Sequence, residues 1–527
     1  MKGIAYALAD LVDEIWHWVA ARMRSQRWVW LIPVAVLYAM VRWPIGRIEH
    51  IMAAIVGLIV LAWAVRRPGP ALIALIVFLP LQQTLFGFLY AAHVPAQILR
   101  PAGGLKELIA GGILLSAFHA LHIGRVRQGK TRQLDAIDKA LLVYVGVVTA
   151  YLLAPHLFST FPVNNKLSVR LLAWRADCGY LLVFFAVRHA PIPEATRKLF
   201  VRVLMGMAAL TVLVGLYQWS RPDSWTHLIL VTGAQVKYQV AVLGNDHTTV
   251  IRNLGYLTNQ NPLRVGSIFL GPFDMADFLL IAFAVSLERI ARDFRSRASY
   301  ATCAVILLML FASRVRADAL AAVVIALVAM VPTPNRPIGA RLRLLGAILV
   351  AAAVVVPAIA GTRFVNAEGG GKSNGAHVTE IASGIDELIR NPLGIGIGNV
   401  AGVGDRFVLT TGKQGGFTVD NAVLQVGDEL GFQALLPWLV LMFLVWRALG
   451  RAAKESDPFA GGVRLAFLAL FVAGMYHHVF LGFPVAWTLW AAVALALKRV
   501  DAPRAPARDE ARGNIVAIEP VALDGFR

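Results

Sequence analysis

Apolar residues along this chain arrive in long continuous runs separated by short basic links. They do not follow the one-face-in-three spacing of a soluble amphipathic helix. The runs fall at 28–43, 48–65, 70–91, 104–121, 139–157, 169–187, 199–218, 265–288, 299–313, 317–332, 342–360, 420–448, 463–482 and 484–498. At a rise of about 1.5 Å per residue, runs of about 18–25 residues cross roughly 30 Å of hydrocarbon. Lipid leaves backbone groups no partner but the helix itself. The pattern therefore predicts an all-α fold, a polytopic membrane helix bundle of about 12–14 transmembrane helices, with the short runs between 299 and 332 open to a re-entrant reading. Two links are too long to be plain connections, 219–264 and 361–419. The first carries a strand-like VKYQVAVL at 236–243 and a turn-rich GNDH at 244–247. The second, between the helices near 342–360 and 420–448, opens with the flexible, glycine-rich AEGGGKSNGAH at 367–377. It continues as an amphipathic helical pattern from Val378 to Ile389 and ends in NPLGIGIGN at 391–399.

The remaining links sort by charge. Those at 66–67, 122–138, 188–198, 289–298, 333–343 and 449–464 are short and basic, and the others are longer or poorer in Lys and Arg. The positive-inside rule then places both termini in the cytoplasm and 219–264 and 361–419 outside it. Residues 1–27 form an amphipathic interfacial lead-in with Trp16 and Trp18 as anchors. Asp10, Asp13 and Glu14 interrupt its apolar character, so it is not a cleavable signal. The transmembrane domain covers 28–498, and 499–527 is a disordered cytoplasmic tail.

Composition sharpens this reading. Of 527 residues 58% are hydrophobic and 15% charged, with a mean hydropathy of +0.65; a soluble domain carries about a quarter charged residues. Disorder, a disulfide-stapled secreted domain and a soluble multidomain enzyme are excluded. The net charge of +19 would suggest nucleic acid in a soluble chain, but here it sits in the orienting links, so no nucleic-acid partner is expected. Cys178 and Cys303 both lie in apolar runs and make neither a redox pair nor a zinc site.

The candidate chemistry lies at the outer face. The string GGGKS at 369–373 lacks the preceding glycine of a phosphate loop, since position 366 is Asn366, and is read as an ordinary loop. Arginines are more informative: Arg264 opens RVGSIFLGPF, Arg314 lies in FASRVRAD, and Arg170 and Arg175 lie in SVRLLAWRADCGYLL beside Asp177. Each alone either faces a polar cavity with a partner or is explained by snorkelling or by a local pair such as Arg175 with Asp177. Several guanidinium groups at one membrane face make a natural clamp for phosphate or pyrophosphate, because the planar fork binds such oxygens two at a time. In TVDNAVLQVGDELG at 418–431, Asp420 is either a helix N-cap, with Asn421 beside it, or a functional carboxylate. Glu429, about two turns further on, needs a partner at that depth, and an outer arginine is the obvious one. His377, at the start of the amphipathic helix, is a solvated loop residue or a base. His477 and His478 are adjacent and point to different faces, a poor spacing for one metal.

The order of these elements resembles the O-antigen ligase and polymerase superfamily of bacterial inner-membrane glycosyltransferases. The strings that carry the resemblance are HVTEIASGIDELIRNPLGIGIG at 377–398, DNAVLQVGDELG at 420–431, Arg264 in RVGSIFLGPF and Arg314 in ASR. Position 420 holds an aspartate where the ligases have a histidine, which brings the chain closer to the repeat-unit polymerases. His377 stands where many members carry an arginine.

The resemblance implies transfer from a polyprenyl-pyrophosphate-linked oligosaccharide, with an acceptor sugar hydroxyl attacking the anomeric carbon and lipid pyrophosphate leaving. Under it, Arg264 and Arg314 hold the pyrophosphate with Arg170 or Arg175 assisting. Asp420 or His377 is the base, Asn421 contacts sugar and Glu429 orients. No cofactor and no metal is expected. The expected partners are the lipid-linked oligosaccharide, membrane lipids, and other polysaccharide assembly and chain-length proteins. A ligase differing only in its acceptor, and a lipid-linked sugar flippase, are the competing functions.

Overall fold

A computed structural model describes residues 48–94, 98–99, 102–128, 134–155, 167–221, 264–269, 271–292, 297–330, 368–400, 420–454, 457–481 and 483–498. The lead-in, the apolar runs at 28–43 and 342–360, the strand-like 236–243 and the tail lie outside the described residues.

Among the described residues there are fourteen α-helices and no β-strand: α1 Ile48–Arg66, α2 Pro68–Ala91, α3 Leu105–Gln128, α4 Ala136–Leu153, α5 Leu167–His189, α6 Glu194–Ser220, α7 Pro272–Arg292, α8 Arg297–Ser313, α9 Arg316–Met330, α10 Glu368–Arg390, α11 Ala422–Leu430, α12 Phe432–Lys454, α13 Pro458–Ala473 and α14 Phe483–Lys498. The chain is an all-α polytopic membrane protein. Four helices, α2, α4, α6 and α12, meet both length and hydropathy requirements for crossing a bilayer, and several of the rest are shorter apolar helices. The continuous run at 420–448 is two helices, because Gly431 takes φ +71° and ends α11 before α12 begins. In a further difference from the sequence reading, α10 begins at Glu368, so the glycine-rich stretch is helical and His377 lies within the helix instead of heading it. A glycine costs a helix only about 1 kcal/mol, so the phase set by residues 378–389 extends back through it.

The helices shuttle between two ends. The turns at 66–68 and 189–194 and the start of α13 at Asp457 form the proximal end; α11 and the turn after α13 lie at the distal end. The helices α7 and α14 are buried over almost their whole length and form the bundle centre, α7 packing on α13 and α14 on α5. On α12 the period-3.6 split is clear: Trp438, Leu441 and Val445 face the core, while Leu436, Val440 and Phe443 form an exposed apolar stripe suited to lipid.

Proximal arginines do more than set topology. Arg188, buried at the end of α5, donates to Asp135 and Asp138. Those two carboxylates also form the capping box of α4. Arg197 of α6 pairs with Asp457, the N-cap of α13. Arg292 of α7 pairs with Glu288 at 2.7 Å and donates to the carbonyls of Ala453 and Asp457. Arg188 and Arg197 thus hold the carboxylates that cap α4 and α13, and Arg292 meets carbonyls at the end of α12 and the start of α13.

Candidate active site at the distal end

The first half of the site is a turn. The α8 and α9 helices are joined through Arg314, a non-glycine residue held at φ +57°. That conformation costs an L-residue roughly 1–2 kcal/mol and persists only where surrounding contacts enforce it. Ser313 Oγ accepts from Val315 N at 3.3 Å and donates to Leu310 O at 2.7 Å. Arg264 closes the turn from outside: its Nε donates to Ser313 O at 3.2 Å and its Nη2 to Arg314 O at 3.4 Å, with the guanidinium 4.9 Å from the Phe273 ring. The strand of chain behind Arg264 is anchored by Gln218, whose Oε1 accepts from Gly266 N at 3.1 Å and Ser267 N at 2.8 Å. The two arginines named from sequence are therefore neighbours, linked by a direct hydrogen bond.

The second half is the turn after α13. Ala422 N donates to Gly474 O at 2.7 Å and Asn421 Nδ2 to Met475 O at 3.0 Å, docking the head of α11 onto this turn. Asn421 is the N-cap of α11, its Oδ1 accepting from Val423 N and Leu424 N. Asn421, expected as a sugar contact, thus also caps the helix, its oxygen accepting two backbone N–H groups and its amide holding a backbone carbonyl. Asp420 is not the cap. Its carboxylate stands 3.1 Å from His478 Nε2, while His478 Nδ1 lies 3.0 Å from Gln425 Oε1. The His478 imidazole beside Asp420 holds its carboxyl below the ordinary carboxylate range, against the opposing effect of burial.

His377, on α10, comes in from the other side. Donor atoms of His377, Glu380 and Asp420 all lie within 4.8 Å of one another, and His377 Nδ1 is 3.5 Å from Glu380. These three side chains are partly exposed.

Adjacent His477 turns the opposite way. Its Nε2 lies 3.1 and 3.0 Å from the two oxygens of Asp277 on α7, and 3.9 Å from Asp318 on α9. Its ring packs against Phe273, the ring that Arg264 covers. The His477–His478 pair thereby joins the arginine side to the Asp420 side. Sequence reasoning passed over Asp277, Asp318 and Gln425; the available signal was an acid inside an apolar run, which demands a polar partner.

Glu429 is placed differently from its expectation. It is buried, and its Oε1 accepts from Gly398 N instead of meeting an arginine. The segment 391–399 folds onto the α11–α12 break, with Ile395 N donating to Asp428 O at 2.8 Å, Gly396 N to Glu429 O at 2.9 Å and Phe432 N to Pro392 O at 3.0 Å. Gly394, Gly396 and Gly398 all take positive φ here, and a Cβ on Gly394 would lie 2.6 Å from Glu429 O. Glycine is the residue that permits so close an approach.

Arg170 and Arg175 stand apart from these groups in their contacts. Arg170 Nη1 donates to Leu152 O at 2.8 Å near the end of α4. Arg175 pairs with Glu107 of α3 at 3.0 Å, a partner 68 residues away, instead of with Asp177.

Comparison with known proteins agrees with this order of elements. No curated protein matches the chain. A profile of the O-antigen ligase family matches residues 301–439, the stretch that holds Arg314, His377, Asp420 and Glu429. Over that stretch the chain is similar to the O-antigen ligase family, which supports the resemblance to the O-antigen ligase and polymerase superfamily.

Proposed function

We propose that the protein is an inner-membrane glycosyltransferase that polymerises polyprenyl-pyrophosphate-linked oligosaccharide repeat units at the outer face, in the assembly of exopolysaccharide, capsule or O-antigen. The observation that carries this reading is the meeting at one end of the bundle of the Arg264–Arg314 pair and the His377–Asp420 group, joined through the adjacent His477 and His478.

In this reaction the acceptor hydroxyl oxygen forms a bond to the donor's anomeric carbon. The bond from that carbon to the pyrophosphate oxygen breaks, and the leaving oxygen keeps the electron pair. Arg264 and Arg314 meet the growing pyrophosphate charge, where bidentate donors stabilise the transition state more than the ground state. His377 takes the hydroxyl proton. Asp420 is the weaker candidate for that step, because a carboxyl held below its ordinary range is a poor proton acceptor. It serves instead as the fixed anion beside the imidazolium that forms on His377. Glu429 and Asn421 hold the frame, and Arg170 and Arg175 stand at its edge.

The test is turnover of a purified lipid-pyrophosphate repeat unit. Loss of a general base lowers rate by roughly 100-fold to 10,000-fold, so His377→Gln is expected to fall in that range at normal protein level. Normal polymerisation by both His377→Gln and Asp420→Asn would sink the assignment of a base. A second reading is favoured by the description of the matching family: a ligase that moves finished glycan to a lipid or protein acceptor. Product analysis after deletion separates them, single-repeat glycan marking a polymerase, unattached long polymer a ligase, and cytoplasm-facing precursor a flippase.

A further inference from the structure

Behind the arginine pair lies a group of donors that the transfer reaction leaves unused. Asp277 of α7, Asp318 of α9 and His477 in the turn after α13 are all buried, and their donor atoms lie within 4.8 Å of one another. We propose that these three residues hold a divalent cation of the Mn2+ or Zn2+ class.

Spacing is the first reason. Donors about 2.1 Å from a shared ion stand roughly 3.0–3.4 Å apart in octahedral or tetrahedral geometry. His477 Nε2 is 3.0 and 3.1 Å from the Asp277 oxygens and 3.9 Å from Asp318 Oδ1, so a small rotation of Asp318 completes the set. The second reason is charge. Asp318 is 0% exposed, no N–H group among the described residues reaches either of its oxygens, and its nearest polar neighbour besides His477 is the carboxyl of Asp277. A carboxylate in that position is costly unless a cation meets it. His477 is already engaged with Asp277. Arg264 attracts Asp318 from nearby, and Asp274 adds a further negative charge to the same neighbourhood. The third reason is donor chemistry. One imidazole with two carboxylates suits Mn2+ or Zn2+ better than the all-oxygen preference of Ca2+ or the thiolate preference of Cu+.

Such an ion clasps three pieces of chain that are far apart in sequence. Arg264 lies a few residues before α7, Arg314 immediately before α9, and His478 is the residue after His477. Holding those pieces together sets the frame on which both halves of the candidate active site are built, without the ion touching substrate. The site departs from the absence of metal expected from sequence, and it stands whether the chain is a polymerase, a ligase or a flippase. The second donor trio, His377, Glu380 and Asp420, is partly exposed and carries no such proposal.

The experiment uses the full chain purified in nanodiscs, stripped with chelator and titrated with Mn2+ followed by electron paramagnetic resonance, and with Zn2+ followed by elemental analysis. Expected is saturable binding of about one ion per chain and a rise in melting temperature on adding it, because an ion that binds only the folded state stabilises it. Binding should be lost in Asp318→Asn and His477→Gln and kept in His377→Ala, which disables the exposed trio. Wild-type protein that binds neither ion saturably, or binding untouched by Asp318→Asn, overturns the proposal and leaves a proton shared between Asp277 and Asp318 as the means by which the pair is compensated. Because the wild type alone decides the matter, a variant that fails to fold does not leave it open.

Discussion

At the scale of single residues, the arginine pair is where charge and geometry separate. Arg264 uses Nε and Nη2 on the carbonyls of the α8–α9 turn. Lysine keeps the charge but has no planar fork to hold a turn and a ligand together. Arg264→Lys is therefore expected to lower turnover at least tenfold with normal protein level, measured on purified lipid-linked repeat units; unchanged turnover would remove Arg264 from the pyrophosphate site. Position 421 gives the contrast. Asn421 is a cap, so Asn421→Ala is expected to cost about 1 kcal/mol of stability, read as a lowered melting temperature. Its neighbour Asp420 caps nothing, so Asp420→Ser should leave stability near wild type while activity falls. A melting temperature that drops as far as in the Asn421 variant would show that the cap has been assigned to the wrong residue.

At the scale of elements, the docking of 391–399 on the α11–α12 break is the strictest joint. Gly394→Ala puts a Cβ 2.6 Å from a backbone oxygen at φ +80°. Beyond the roughly 1–2 kcal/mol of a left-handed L-residue, the segment must lift off α11. A loss of folded protein on heating in detergent, larger than for Gly146→Ala, whose Cβ meets nothing within 4 Å, is the expected result. Most helices were legible because a long apolar run has one stable solution in lipid. What the sequence hid was of another kind. The split at Gly431 looked like one span, since a single glycine does not break hydropathy. The start of α10 was obscured by glycines that read as loop. Contacts such as Arg175 with Glu107 and Glu429 with Gly398 join positions 68 and 31 residues apart, and no local pattern encodes them. Asp420 and Asn421 compete for one cap, and only the docked turn at Gly474–Met475 decides between them.

At the scale of the whole molecule, charged pairs hold both ends. Burial alone would raise the Asp135 carboxyl, but Arg188 and the backbone N–H groups of Asp138 and Ile137 outweigh it and leave it below its ordinary value. A carboxyl whose folded value is depressed contributes stability above its unfolded value and loses it as pH falls through the folded one. The Asp135 contribution is thus intact at neutral pH and lost below about pH 4, and Asp135→Asn should flatten that acid limb of a thermal-stability profile. Orientation is open to a direct test: a cysteine placed at 373 should react with an impermeant reagent added outside, and one at 456 should not. The reverse pattern would put the arginine pair on the side of the membrane opposite to that of the proposed transfer.

The pairing of His477 and His478 on consecutive residues has a mechanical consequence. Two side chains separated by a single peptide unit share a pivot, so the turn at 474–481 is a lever whose arms end at Asp277 and at Asp420. The expected consequence is that a ligand drawing one arm shifts the other through the backbone the two histidines share. Nitrogen-15 labelling of these two imidazoles would give a pair of reporters in one spectrum, with resonances expected to move together on addition of pyrophosphate alone.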